Sequence, residues 1–362
     1  MDQRMIDIVK GVENCVRGLA NVQKDENVLI LTDTSIDSVF AQTFATVING
    51  IGARPAILTI TAEMAEASEV GGDVPRHIVS AVSGADTVIG VTSYPMQHTP
   101  AIRPLVTSSW RDSAGTLRWI NVPPPHFLTL TCEGATKVPG PLVAKITKRV
   151  IERMQKGRTF RMVTGDGAEI ACVQEPSTLN IEPKLKWPLP KGRFNVFPTC
   201  AVNPKGELHA EGDGVMVVDA VDCFLGKLGT PIRYTIEKGY VTKVEGGPEA
   251  DWIRNKIAEL GVDRAGVWWE FSIGTNPCIP VYRNNFGALQ VYWHALAHRA
   301  AGVVHIAIGQ EPYFHLHGTI LEPTVTCLET QEVIIEKGYL KALDDADIRE
   351  EMEALGIKPS RW

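Results

Sequence analysis

The pattern of apolar residues changes character near residue 158, and that change limits the fold more than any other feature of the sequence. Before it, short apolar runs alternate with helix-like stretches. "NVLILTDT" (27–34) is an apolar run that ends in polar residues, the pattern of a buried parallel strand. A helix-like stretch follows from Ser35 to Asn49, with Val39, Phe40, Phe44, Val47 and Ile48 on one face. "ARPAILTI", a helix through "VPRHIVSAVSG", then "DTVIGVT" and "LRWINVP" continue the alternation. Strands separated by helices specify βαβ units and an open parallel sheet, so residues 1–157 are expected to form a Rossmann-like α/β domain. No GxGxxG follows the first strand and no P-loop string occurs, so a nucleotide site is not supported.

"GPLVAKITKRVIERMQKG" (140–157) reads as an amphipathic helix ending at a glycine. After it, "TFRMVTGDGAEIACV" places two β-rich runs around Gly-Asp-Gly, a hairpin signal. Residues 181–204 are proline-rich and irregular, and from Gly214 onward short strands and turns dominate. Residues 158–362 are therefore expected to form a mainly β (α+β) domain, with helices at Pro248–Leu260 and about Ala288–Ala300. "EKGY" occurs at 237–240 and again at 336–339. The flanks do not match over 20 residues, so these are two similar Lys-Gly turns and not a duplication.

Charge and cysteine usage exclude several classes. The net charge of -6 leaves no basic surface for a phosphate backbone, so no nucleic-acid partner is expected. No apolar run reaches the roughly 18 residues of a membrane-spanning helix, and the first residues show no apolar signal-peptide core. Seven cysteines without CxxC spacing suit a reducing cytoplasm and argue against a disulfide framework. A cytoplasmic enzyme with a small-molecule substrate is the expectation.

Five of the nine histidines, His294, His298, His305, His315 and His317, fall within 24 residues. In "HLHG", His315 and His317 are two apart on an expected strand, so both point to one face with Cα atoms ~6.5–7 Å apart. His305 lies on the apolar run "VVHIAIG", and hairpin pairing after "QEPYF" would bring it beside them. Neutral imidazoles suit Zn²⁺, Mn²⁺, Co²⁺ or Fe²⁺. Glu270 stands in the apolar run "VWWEFSIG", where an ionised carboxylate is costly to bury unless paired or metal-bound. Glu207, after a Pro-Lys-Gly turn, is an even choice between a solvated loop residue and a ligand. His294 and His298 have helical i, i+4 spacing, but Ala295 stands where a zinc helix carries glutamate, so His294 reads as structural. A lone histidine on an apolar strand is usually a core residue; a cluster of five is not, and a metal site is the reading. Serine and cysteine catalysis are weaker, since there is no GxSxG and Cys278 lies between prolines.

The string "EFSIGTNP … VVHIAIG … HLHGTILEPTV" resembles the C-terminal half of the aminopeptidase T family of two-metal exopeptidases. "GVMVVDA", "PIRYTIEKGYVTKVEGGPEA" and the "RMVTGDGAEIACV" hairpin are similar to that family's preceding segments, so the resemblance covers roughly Thr159–Leu328. It implies that Glu207, Glu270, His305 and His315 are metal ligands. His317 stands where the family has an aspartate, and His298 where it has an acidic helix residue, so the resemblance implies Glu270, His305, His315 and His317 around one metal, with Glu207 and His298 completing a second position. The resemblance also implies a homo-oligomer and a metal-binding catalytic domain over 158–362. More distantly, the same strings are similar to the 2,5-dihydroxypyridine dioxygenases, which hold one Fe²⁺ with two histidines and a carboxylate. In that frame Glu270, His315 and His317 form the triad, with Trp268, Trp269, Tyr282 and Phe286 walling a flat ring.

These resemblances imply a metal-dependent hydrolase of small amides as the first expectation, with one or two divalent ions per chain. Glu207, Glu311 and Tyr313 are its candidate catalytic groups, as bases or oxyanion donor. The alternative is a non-heme Fe(II) ring-cleaving dioxygenase of hydroxylated pyridine-type aromatics. A metal-binding relative without catalysis is a third.

Overall fold

The computed structural model describes residues 3–69, 74–94, 96–97, 99–106, 115–124, 126–173, 187–198, 211–219, 221–222, 226–281, 299–309, 314 and 316–359. Its contacts divide the chain into two units, Met1–Ala144 with Glu182–Thr199, and Lys145–Ile181 with Cys200–Trp362.

The first unit begins with helix α1 (Arg4–Glu13) and is built on β1 (Asn27–Asp33), β2 (Arg54–Ile60), β3 (Thr87–Val91) and β4 (Arg118–Asn121). The chain then leaves for the hairpin β5 (Thr159–Val163) and β6 (Glu169–Val173), and returns to add β7 (Phe194–Val196). The sheet order is β2-β1-β3-β4-β7, and every pairing in it is parallel. The expected open parallel sheet is therefore present. Helix α2 (Ser38–Gly50) starts at Asp37, whose side chain accepts from the Val39 N–H, and buries Phe40, Phe44, Val47 and Ile48. The expectation had begun this helix at Ser35. In the structure, Asp33 holds the Ser35 N–H and hydroxyl, which keeps residues 34–36 in a turn. Helices α3 (Ala62–Glu69) and α4 (Arg76–Ser83) follow β2, and Ile78 and Val82 of α4 pack into a core with Leu29, Leu31, Val88 and Trp119. That spacing of i, i+4 is what puts both on one helical face.

Strand order reverses between β1 and β3, and polar side chains gather at the carboxyl ends of the strands there. Asp33 is buried and accepts from the N–H and hydroxyl of both Ser35 and Ser93, which ties the ends of β1 and β3 together. Burial acts to raise its carboxyl, but those four donors outweigh burial and hold it below the usual range. Helix α5 (His126–Thr131) places His126 against Phe40, ring centroids 5.4 Å apart, in a buried position. Burial pushes the His126 imidazole down to about 4, against the opposing pull of Asp33 and two backbone carbonyls. After the short α6 (Glu133–Thr136) comes α7 (Gly140–Met154), within which the division between the units falls.

The second unit holds two sheets. Its remaining strands are β8 (Glu211–Val218), β9 (Val221–Asp222), β10 (Gly226–Lys227), β11 (Ile232–Glu237), β12 (Tyr240–Glu245), β13 (Trp268–Ile273) and β14 (Val304–Ile308). They continue with β15 (Leu316–Ile320), β16 (Thr324–Cys327), β17 (Val333–Glu336) and β18 (Tyr339–Leu340). The larger sheet runs β12-β11-β8-β6-β5-β16-β17-β18, and the smaller β10-β9-β15-β14-β13. The expected Gly-Asp-Gly hairpin is β5–β6, and Pro248–Leu260 is helix α8. Both "EKGY" strings are two-residue hairpin turns. Lys238 and Gly239 have φ of 51° and 80°, Lys337 and Gly338 46° and 76°, so the two turns share one left-handed geometry. The expected helix near 288–300 lies almost wholly outside the described residues. The five described cysteines, Cys15, Cys132, Cys172, Cys278 and Cys327, are buried thiols with no disulfide among them.

The two sheets of this unit approach closely at Gly318. A Cβ there would lie 2.8 Å from a Val218 methyl of β8, so the approach of β15 to β8 needs a residue without a side chain. No described helix is long and apolar enough to cross a membrane.

Candidate metal centre

Strands β13, β14 and β15 are antiparallel neighbours, and their register builds the site. Ala307 of β14 is opposite Glu270 on one side and His317 on the other. Two residues back along β14, His305 is opposite Ser272 and Thr319. Cross-strand partners and i, i+2 residues share a face, so these six side chains project together. Glu270 and His317 flank Ala307 in one row, and His305 stands at the centre of the next. The methyl group of Ala307 forms a low floor between the three larger side chains.

A β-bulge puts Glu270 on this face. Trp268 pairs with Ile308 and Glu270 with Ala307, which leaves Trp269 as the extra residue. Unbroken alternation would give Trp268 and Glu270 the same face. The bulge turns Trp268 to the other side, where it is buried and edge-on to Phe271 at 6.5 Å. Its indole N–H donates to the Glu270 carbonyl at 2.9 Å and fastens the bulge.

His305 Nε2 is 3.9 Å from Glu270 Oε2, and the rings of His305 and His317 are 4.6 Å apart at 77°. One ligand atom from each of Glu270, His305 and His317 lies within 4.8 Å of the others. Metal–nitrogen and metal–oxygen bonds of ~2.1 Å put neighbouring donors ~3 Å apart, so modest side-chain rotation closes the set. His305 is 3% exposed, and the Glu270 side chain 20%. Two imidazoles and one carboxylate on one rigid sheet face form the donor set of a three-ligand site with open positions. The cluster therefore fits a single divalent metal ion. The Ser272 hydroxyl donates to Glu270 Oε1 at 2.6 Å. Ser272 carried no sequence signal of its own; it is found by counting two residues along the strand from Glu270.

Of the residues singled out from sequence, Glu270, His305 and His317 converge, through the β14–β15 hairpin. Glu207, His298, Glu311, Tyr313 and His315 lie outside the described residues, as do His294, Tyr282 and Phe286. Trp268 is turned away by the bulge and packs in the core.

The sequence matches the model of the NicX family, 2,5-dihydroxypyridine 5,6-dioxygenase, over residues 12–268. The chain belongs to this family. The match stops two residues before Glu270, so the metal cluster stands on its own geometry. Among solved structures, the fold is similar to that of 2,5-dihydroxypyridine dioxygenase from Pseudomonas putida KT2440, with TM-score 0.64 and 15% identity over 93% of this chain and 97% of that one. It is also similar to wild-type AmpT from Thermus thermophilus, with TM-score 0.60 and 14% identity over 92% and 99%. No curated protein matches the sequence.

The family match corrects the expectation that put aminopeptidase T first. Part of the string behind that expectation is scaffold. In "SIGTNP", a Cβ on Gly274 would meet the Ala300 carbonyl at 2.1 Å, and Asn276 accepts the Cys278 N–H. Residues that fix the backbone in this way report the fold and not the chemistry carried on it. The chain belongs to the dioxygenase family, shares its fold with AmpT as well, and carries a donor cluster consistent with a metal-dependent enzyme.

Proposed function

We propose that this protein is a non-heme Fe(II) ring-cleaving dioxygenase acting on a hydroxylated pyridine-type aromatic, with Glu270, His305 and His317 holding the metal. The family match over residues 12–268 is the observation that carries this reading. The donor set of two nitrogens and one carboxylate oxygen agrees with it.

Iron(II) bound there would supply the one-electron chemistry that lets dioxygen react with an electron-rich ring. The protein's own groups set the conditions. Two neutral imidazoles and one carboxylate around a dication leave a net charge of about +1, which favours an ionised ring hydroxyl over a neutral amide. Ala307, opposite both Glu270 and His317, puts only a methyl group between the two ligand side chains. The buried face beneath, with Trp268, Phe271 and Ile273, keeps the ligand strands rigid.

The test is oxygen uptake by Fe²⁺-loaded protein with 2,5-dihydroxypyridine and related hydroxypyridines, with ring absorbance followed in parallel. One O₂ consumed per ring lost is the expected result. Anaerobic hydrolysis of small amides without oxygen uptake on any hydroxypyridine would sink the reading.

A further inference from the structure

We propose that Ser272 is a positioning residue for the metal site: its hydroxyl holds one oxygen of Glu270, so that the carboxylate meets the metal through the other oxygen alone. The inference rests on reading the Glu270, His305 and His317 cluster as a metal site, and it says how many positions Glu270 takes there.

A carboxylate beside a cation can bind through one oxygen or chelate through both. Here the two oxygens are already unlike. Oε1 accepts the Ser272 hydroxyl at 2.6 Å, in the short range of a hydroxyl donating to a charged oxygen. Oε2 is the oxygen that lies 3.9 Å from His305 Nε2. Chelation would need Oε1 to leave Ser272 and turn toward the imidazoles. Ser272 is 2% exposed, so a water molecule could not readily replace the carboxylate as partner, and its hydroxyl would be left buried and unsatisfied.

The backbone reinforces this choice. Ser272 is two residues beyond Glu270 on β13 and directly opposite His305, so its hydroxyl reaches the carboxylate from the side of the histidine row. From the other end, the Trp268 indole fixes the Glu270 carbonyl across the bulge. Glu270 is thus held at its main chain and at one carboxylate oxygen, with the remaining oxygen presented beside His305. Among the described residues three donor atoms, and not four, then face the metal. An additional position stays available to substrate or solvent, which a ring-binding oxygenase requires and a chelating glutamate would take.

Cobalt(II) serves as the probe because its visible absorption reports coordination number. Ser272→Ala is expected to weaken Co²⁺ binding by about 10–100-fold, the usual cost of removing a partner that orients a ligand. The visible band should also lose intensity as the second oxygen joins the ion. Ser272→Thr keeps a hydroxyl and should retain both affinity and band, whereas the isosteric Ser272→Val should lose both. This pair keeps the proposal testable should the alanine variant fold poorly. Unchanged affinity and spectrum in Ser272→Ala, or identical behaviour of the Thr and Val variants, would overturn the role given to Ser272. If the unaltered protein binds no Co²⁺, or if Glu270→Ala leaves binding unchanged, the metal-site reading falls as well. Loss in Glu270→Ala with no effect of any Ser272 substitution removes the positioning role alone.

Discussion

Glu270 carries the charge of the described cluster, and its replacement separates charge from shape. Glu270→Gln keeps the side-chain volume and a possible contact with Ser272 but removes the anion that offsets a dication. We expect metal affinity to fall at least tenfold and turnover with it, measured by Co²⁺ titration and oxygen uptake; retention of full affinity would remove Glu270 from the ligand set. A different residue contributes to acid stability. His126 is buried, with its imidazole pushed down to about 4 from 6.5, so it is neutral when folded and gains a proton on unfolding anywhere between those values. Unfolding therefore takes up a proton there, and stability present above pH 6.5 is lost as the pH falls toward 4. The depression corresponds to about 3 kcal/mol at most. His126→Phe, which keeps a ring beside Phe40, should flatten the fall in urea midpoint between pH 6.5 and 4.5. An equally steep fall in the variant would assign the acid sensitivity elsewhere. At this scale the sequence was informative where chemistry is unusual. Histidines on apolar strands and a glutamate between a tryptophan and a phenylalanine are conspicuous, whereas a serine on a strand is ordinary until its partner is known.

Among the elements, local geometry was legible and pairing was not. The Lys-Gly turns, the Gly-Asp-Gly hairpin and helix α8 depend on residues close in sequence, and each was marked by glycine, proline or amphipathic spacing. The bulge at Trp269 exists only relative to β14, so alternation counted along β13 alone assigns Trp268 to the wrong face. Both turns also use a lysine at positive φ, a conformation that asparagine tolerates better. Lys238→Asn should raise the melting free energy by a few tenths to about 1 kcal/mol, read by urea denaturation; a decrease would contradict the left-handed geometry. Gly318 tests the packing of β15 from behind. In Gly318→Ala the added methyl meets Val218 at 2.8 Å and Ile306 at 3.3 Å, so β15 must shift or its neighbours must move. A cost of about 1–3 kcal/mol is expected. Because His317 and Thr319 flank that position, Co²⁺ affinity should drop as well. Normal affinity in a destabilised variant would mean that the shift is absorbed on the β8 side.

For the whole molecule, metal binding and stability are linked. An ion that binds the folded cluster and not the unfolded chain stabilises by about 2.7 kcal/mol at one hundred times its dissociation constant. Calorimetry with Co²⁺ and with chelator should show a metal-dependent rise in the transition that carries β13–β15, and none in Glu270→Ala. The fold class followed from periodicity, since helix–strand alternation and dense short strands are visible without partners. The order of strands in the sheets was not, because β5 joins β16 and β9 joins β15 across more than 90 residues. The return of the chain to add β7 after the β5–β6 hairpin bears on how the protein is made. A ribosome delivers β1 to β4 first, but the parallel neighbour of β4 emerges only with residues 194–196. During that interval β4 has an open edge able to accept a strand from another nascent chain. Cutting the chain after the hairpin would make that interval permanent, so a first unit prepared in isolation needs its late-arriving strand supplied as a separate peptide or spliced in behind β4.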